Sequence, residues 1–151
     1  MKSPARSTKL PECPEEMAFL ELLRTTDMLS RRVSQVIKSE GLSSNQYNVL
    51  RILRGAPEGL SCGEIANRMI TRDPDITRLV DRMEKQALVL RSRDNKDRRM
   101  VLIRITPRGL QLLSRLDEPV REAHRAQLGH LSKQKLKELS DLMRKSRARS
   151  G

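Results

Sequence analysis

The sequence predicts a mostly α-helical chain carrying one small β-hairpin. Three observations lead there. Residues 15–39 repeat apolar side chains at helical spacing with no Pro or Gly to interrupt them. Two short segments with helix-start signals follow one another between residues 61 and 86. A β-branched run at 100–105 then lies across a charged, turn-rich stretch from a shorter apolar run at 88–91.

Taken in order, residues 1–14 are polar, hold Pro4, Pro11 and Pro14, and are expected to form a flexible tail. In 15–39, Phe19, Leu22, Leu29, Val33 and Val36 make an apolar stripe that Leu23 and Ile37 widen, and Gly41 ends the helix. Ser43 and Gln46 stand at capping-box spacing and open a second helix through Tyr47, Leu50 and Leu53. Residues 55–59 form a turn. Ser61 and Glu64 repeat the capping box before a short helix over 62–69. After a brief connector, Asp73 is expected as N-cap with Pro74 in the first helical position. The helix that follows places Ile76, Leu79, Val80 and Met83 on one face. Thr77, Arg78, Asp81, Arg82 and Lys85 lie on the other.

The pattern then changes period. Val101, Ile103 and Ile105 alternate with Leu102 and Arg104, and the hairpin they form with 88–91 has a basic tip at 93–99. Thr106 and Pro107 cap another helix through Leu110, Leu113, Leu116 and Val120, which Pro119 is expected to kink or split. Gly129 breaks the pattern and Ser132 restarts it, with Leu136, Leu139 and Met143 as a last stripe and a frayed basic end from 144.

Composition narrows the partners. The 151 residues carry a formal net charge of +12, with 33% charged side chains, and such an excess points to a polyanion. No apolar run approaches the roughly 20 residues of a membrane span. The start does not resemble a secretory signal, and Cys13 and Cys62 make no disulfide framework, so a cytoplasmic protein is expected. Phe19 and Tyr47 are the only aromatics. Single-strand and RNA modules stack bases on aromatic platforms, so duplex DNA is the better fit. Two short helices joined by a tight connector, the second basic on its outer face, describe a helix-turn-helix, and the basic hairpin beside it makes a winged one.

The run Asp75-Ile76-Thr77-Arg78-Leu79-Val80-Asp81-Arg82-Met83-Glu84 resembles the recognition helix of the MarR family (multiple antibiotic resistance regulators). The run from Asp97, Arg98 and Arg99 to Ile105, Thr106 and Gly109 resembles that family's wing signature, and Leu42-Ser43-Ser44-Asn45-Gln46-Tyr47 resembles the start of its second helix. The resemblance extends over about 17–143. It implies a winged helix-turn-helix homodimer: a MarR-type domain at 15–151 in which dimerisation helices at 15–39 and 106–145 flank a DNA-binding region at 43–105. It also implies that Thr77, Arg78 and Arg82 face the major groove, and that Arg99, oriented by Asp97, enters the minor groove. Arg72, Lys96 and Arg98 complete the expected contacts. The family often has Gly where Ala87 stands, and the expectation is that the helix ends differently here rather than forcing Ala87 into a left-handed conformation.

The chemistry agrees with this implication. Arginine reads guanine O6 and N7 bidentately, and a narrow minor groove attracts a guanidinium. Between residues 72 and 108 eleven basic residues face six acidic ones. Asp81 is expected to orient Arg78 or Arg82. Asp97 and Arg99, two apart on a strand, would share a face. No nucleophile elbow, phosphate-cradling glycine loop or paired metal motif is present, so neither an enzyme nor a cofactor or metal is expected. His124 and His130 are six apart and share no helical face. Cys62 is expected as a small core residue, while Cys13 stands where the tail meets the first helix and the resemblance makes it a candidate redox thiol. The resemblance further implies a repressor relieved by a small ligand or an oxidant, and the shortage of aromatic side chains points to an aliphatic-lined pocket for the ligand. The alternative is a sequence-indifferent DNA-coating protein, which the ratio of specific to random binding separates.

Overall fold

A computed structural model describes residues 13–149. The expected tail at 1–14 falls outside this range except for Cys13, which caps the first helix, and Pro14, which opens it. Among the described residues the chain forms six helices and one two-stranded sheet. The elements are α1 (Pro14–Lys38), α2 (Ser44–Arg54), α3 (Cys62–Arg68), α4 (Ile76–Lys85), β1 (Val89–Arg93), β2 (Val101–Ile105), α5 (Pro107–Leu128) and α6 (Lys133–Ala148).

Local chemistry sets the boundaries. The Ser43/Gln46 and Ser61/Glu64 capping boxes both close in full, so orphan amides at the starts of α2 and α3 are satisfied reciprocally. Thr106 caps α5 and Ser132 caps α6. The basic end expected to fray is helical through Ala148. Pro119 does not split α5, which is assigned as one helix of 22 residues. Its missing N–H frees only one carbonyl of the preceding turn, on a face where Arg115 and Pro119 are exposed to water.

β1 and β2 pair antiparallel, with Val89 opposite Ile105 and Arg93 opposite Val101. A bridge absent from the sequence reading adds to this pair. The amide of Leu60 donates to the Ile103 carbonyl at 3.0 Å, and the Ile103 amide returns a bond to Leu60 at 2.7 Å. The turn before α3 is thereby fastened to the wing.

The core lies beneath α2. Val49, Leu50 and Leu53 are fully buried, and Ile65, Val80, Met83, Ile103 and Leu113 close over them from α3, α4, β2 and α5. The Arg54 guanidinium clasps the Asp117 carboxylate bidentately at 2.9 and 3.0 Å, joining α2 to α5. Hydrogen bonding from Arg54, aided by its charge, holds the Asp117 carboxyl below its ordinary range.

The stripe expected on α1 is buried only at its C-terminal end. Ile37 is enclosed and Val33 and Val36 are half-buried, whereas Phe19 is 57% exposed and Leu22, Leu23 and Met28 are also open to solvent. In α6 no residue is buried, and Leu142 is 62% exposed.

The junction after α4 corrects the expectation for Ala87. Its φ is +60°, the left-handed conformation. The amide of Ala87 donates to the Glu84 carbonyl at 2.9 Å and that of Leu88 to Met83 at 3.0 Å. This is the double bond pattern of a Schellman ending, with buried Met83 and Leu88 as its apolar pair. The helix therefore ends in the conformation that glycine serves best, with alanine in place. Beyond it, the Thr106 hydroxyl donates to the carbonyl of Ala87 at 2.6 Å and the Thr106 amide to that of Leu88 at 3.0 Å. Gly109 packs so closely here that a Cβ would stand 2.6 Å from the Leu88 oxygen.

Two stability predictions follow from this packing. Ala87→Gly relieves the left-handed strain and gains about 0.5–1 kcal/mol after the greater entropy of the unfolded chain is counted, seen as a raised denaturant midpoint. Asp117→Asn costs about 1 kcal/mol at neutral pH, the upper end for a pair still partly wet. Because the folded carboxyl is held low, the wild-type contribution is complete above the ordinary aspartate range and fades as pH falls through the lowered folded value. The stability difference between wild type and Asp117→Asn therefore narrows in acid.

Candidate nucleic-acid interface

The second helix of the motif is positioned by its connector, residues 69–75. The Ile70 amide donates to Asn48 Oδ1 at 2.9 Å and the Thr71 hydroxyl to Asn45 Oδ1 at 3.2 Å. Asn45 Nδ2 donates to Asp73 at 2.9 Å. The N-cap is Asp75, whose carboxylate accepts the Arg78 amide at 3.1 Å, and not Asp73 as the sequence suggested. The Asp-Pro-Asp run offers two caps. Asp73 is already engaged, accepting Asn45 from one side and the Asp75 amide at 2.9 Å from the other. It therefore organises the turn before the helix, and Pro74 precedes the helix instead of opening it.

On α4, Leu79, Val80 and Met83 are buried while Thr77, Arg78, Arg82 and Lys85 are exposed on the opposite face. The division by face matches the sequence reading, but the charge partners do not. Asp81 pairs with Arg91 of β1 at 2.5 Å rather than with Arg78 or Arg82, and Glu84 joins from the next turn at 3.2 Å. Arg91 is thus a clamp between α4 and the wing. Its hydrogen bond to Asp81 raises its pKa further, and it is less exposed than its neighbours on the motif. Arg78 pairs with the cap itself, Nε to Asp75 at 3.1 Å. Arg82 makes no ion pair among the described residues.

The wing tip is a chain of turns, not a continuation of the strands. The Met100 amide donates to the Asp97 carbonyl at 3.0 Å, and the Asp97 carboxylate accepts the backbone amide of Arg99 at 3.1 Å. The expected hold of Asp97 on the Arg99 guanidinium is absent. Residues 97–99 are not extended, so the alternation that would place both side chains on one face does not apply. Asp97 instead fixes the backbone from which Arg99 projects. The Arg93 guanidinium donates to the Arg98 carbonyl at 2.8 Å, and Lys96, Arg98 and Arg99 are all exposed.

The structure thus brings the expected site residues into two cationic groups. Thr77, Arg78 and Arg82 share one face of α4; Lys96, Arg98 and Arg99 share the wing tip; the Asp81–Arg91–Glu84 clamp ties the two elements together. Arg72 is exposed on the connector. Cys13 belongs to neither group. It is exposed at the start of α1, where its sulfur accepts the Glu16 amide at 3.4 Å as a helix cap. Cys62 is partly buried against the core, as expected.

A cavity of about 570 Å³ opens between α1, α2, α5 and the connector. Leu29, Val33, Val120 and Leu128 give it an aliphatic wall. Tyr47 contributes an aromatic surface and accepts a hydrogen bond from Arg51 at 3.1 Å, the guanidinium lying over the ring. Asn45 and Asn48 line the same cavity. None of Asn45, Asn48, Arg51 or Arg91 was singled out from the sequence. The two asparagines at i and i+3 in the first two turns of α2 are the one available signal, because that spacing directs both carboxamides to the same side.

The comparisons with known proteins agree with this geometry. The family model described as "MarR family" matches residues 42–101, from the start of α2 to the wing. The crystal structure of a MarR transcription factor from Planctomyces limnophilus is 42% identical, over 90% of this chain and 98% of that one, with a TM-score of 0.67. CouR from Rhodococcus jostii RHA1, solved bound to p-coumaroyl-CoA, is 26% identical over 93% of this chain and 98% of its own, with a TM-score of 0.79. The homoprotocatechuate degradative operon repressor of Escherichia coli is 27% identical over 124 residues, 82% of this chain and 83% of the repressor. The chain belongs to the MarR family: it is a winged helix-turn-helix transcription regulator and not an enzyme.

Proposed function

We propose that this regulator is a repressor that binds a pseudo-palindromic operator as a homodimer and is released by a small ligand. The observation that carries the proposal is the division of α4. One face is locked into the core, while the other presents Thr77, Arg78 and Arg82 beside a wing whose tip is basic. In this reading α4 lies in the major groove, with Arg78 and Arg82 at base edges and Arg99 in the flanking minor groove. Arg72, Lys96 and Arg98 meet phosphate.

The two-fold partner is supported by the apolar faces that a single chain leaves open. Phe19, Leu22 and Leu23 of α1 and Leu139 and Leu142 of α6 are exposed, and their burial requires a second surface. Release by a ligand is supported by the cavity, which adjoins both the helix-bearing connector and the α1–α5 packing. CouR was solved with a ligand, as was the PcaV regulator from Streptomyces coelicolor, 25% identical to this chain. Of the two release signals expected, the cavity favours the ligand; Cys13 serves as a helix cap. No helix among the described residues is long and apolar enough to cross a membrane, and a regulator of this kind works where the chromosome is.

Selection of bound duplexes from a random pool tests the reading. The recovered site should be a pseudo-palindrome with half-sites about one helical turn apart, bound orders of magnitude more tightly than random DNA. Equal affinity for all duplexes would make the protein a coating protein instead. Arg78→Ala should lose about 1–3 kcal/mol on the operator and relax one base pair per half-site, whereas Lys96→Ala should weaken specific and random DNA alike.

The wing is tested by two substitutions of Asp97 at fixed salt. Asp97→Asn keeps an oxygen acceptor for the Arg99 amide and removes the charge; Asp97→Ala removes both. Binding should be weaker for Asp97→Ala than for Asp97→Asn. Charge counting alone makes the two equal and both tighter than wild type, and that result would remove the positioning role from Asp97.

A further inference from the structure

Beyond Met69, which packs against the core, the connector between α3 and α4 has little apolar anchorage. Ile70 is 85% exposed, and Thr71 and Arg72 are exposed beside it. What fastens the stretch from Ile70 to Asp73 to the body of the domain is polar and comes from two side chains in the first two turns of α2. Asn48 Oδ1 accepts the Ile70 amide at 2.9 Å. Asn45 uses both ends of its carboxamide, accepting the Thr71 hydroxyl at 3.2 Å and donating to the Asp73 carboxylate at 2.9 Å. Asp73 in turn accepts the Asp75 amide at 2.9 Å, and Asp75 caps α4. An unbroken chain of hydrogen bonds therefore runs from α2 to the first turn of the recognition helix.

We propose that Asn45 and Asn48 are positioning residues that latch α4 in DNA-reading register, and that they do so from the wall of the cavity. The proposal rests on the reading of α4 as the major-groove helix. Neither asparagine needs to touch DNA. Asn48 acts through the Ile70 amide and Asn45 through the side chains of Thr71 and Asp73, and losing either leaves α4 docked by Leu79, Val80 and Met83 but free to tilt about that apolar face. Specific binding, which needs side chains held to within a fraction of an ångström, should suffer, while binding to random duplex should not.

The donor and acceptor pattern makes this testable, because the two asparagines have different requirements. Asn48 serves only as acceptor to the Ile70 amide, so aspartate can replace it. Asn45 must also donate to a carboxylate, so aspartate there sets two carboxylates against each other. The charge-neutral exchange of Asn45→Asp with Asp73→Asn reverses that bond and restores it. Operator and random-duplex affinities, together with hydrogen exchange at the Ile70 amide, should be measured on the full chain for Asn48→Ala, Asn48→Asp, Asn45→Asp and the exchanged pair. Asn48→Ala should speed exchange at Ile70 and weaken operator binding about tenfold, the effect of one lost partner on a backbone amide. Asn48→Asp should recover both. Asn45→Asp should weaken operator binding at least as much, and the exchanged pair should recover it; random-duplex binding should change little across Asn48→Ala and the charge-neutral pair. Unchanged exchange at Ile70 in Asn48→Ala, or failure of both rescues, would overturn the latch. Absence of any operator preference in the wild type would instead overturn the DNA reading, and the exchange measurement would still report on the latch.

Discussion

The structure depends on the packing of α2 against its neighbours. Val49, Leu50 and Leu53 have no exposed surface, and the elements that cover them come from both sides of the chain: α3, α4 and β2 from the DNA-reading part, α1 and α5 from the part proposed to dimerise. Burial of this kind has no direction of its own. Direction comes from the polar groups at the margin. Arg54 holds Asp117 in a bidentate clasp on one side, and Asn45 and Asn48 hold the connector on the other. One helix thereby references the recognition helix to the long α5.

A protein that reads DNA by shape and charge must keep some cations free and use others for construction. Here the two sets are separable except at Arg78, which pairs with the Asp75 cap from the outer face of α4. Arg91 and Arg54 are committed to carboxylates and hold elements together. Arg82 on α4 and the basic residues of the wing tip remain toward solvent, the former with its backbone fixed by the helix and the latter by turns. Counting charge along the motif overstates what is available to phosphate, since Asp81 and Glu84 take Arg91 out of the count.

Much of this was legible in the sequence, and the reasons differ by element. The two capping boxes, the hairpin and the buried face of α4 are local patterns, and local patterns survive folding. Two of the expectations that the structure overturns concern choices between equivalent partners. Asp73 and Asp75 are both competent caps, and only the position of Asn45 across space decides between them. Asp81 has arginines on its own helix, yet pairs with one on β1 brought near by the turn at Ala87. Ala87 itself adopts a conformation its side chain disfavours because Met83 and Leu88 gain burial by it, a tertiary gain larger than the local cost of about 1 kcal/mol. The stripe on α1 is apolar as expected, but among the described residues only its C-terminal end finds cover: a sequence shows that a face is sticky and not what it meets. For the candidate site, the residue types on α4 and at the wing were visible, while the way Asp97 serves Arg99 was not, because the tip is a turn and not a strand.

The close fit at the root of α5 has a mechanical consequence. Thr106 bonds back to the end of the α4 turn, and Gly109 lies so near Leu88 that nothing larger than hydrogen fits between helix and strand. Flexing the joint would break these contacts, so the packing couples the wing base to α5 as one arm. With 22 residues, the arm is about 33 Å long. A swing of about 5° about its far end carries the reading head by about 3 Å, close to the rise of one base pair. In a two-fold pair the gearing doubles, because both heads move. A tilt too small to disturb the core of either subunit is then enough to put the two heads out of step with successive turns of the double helix.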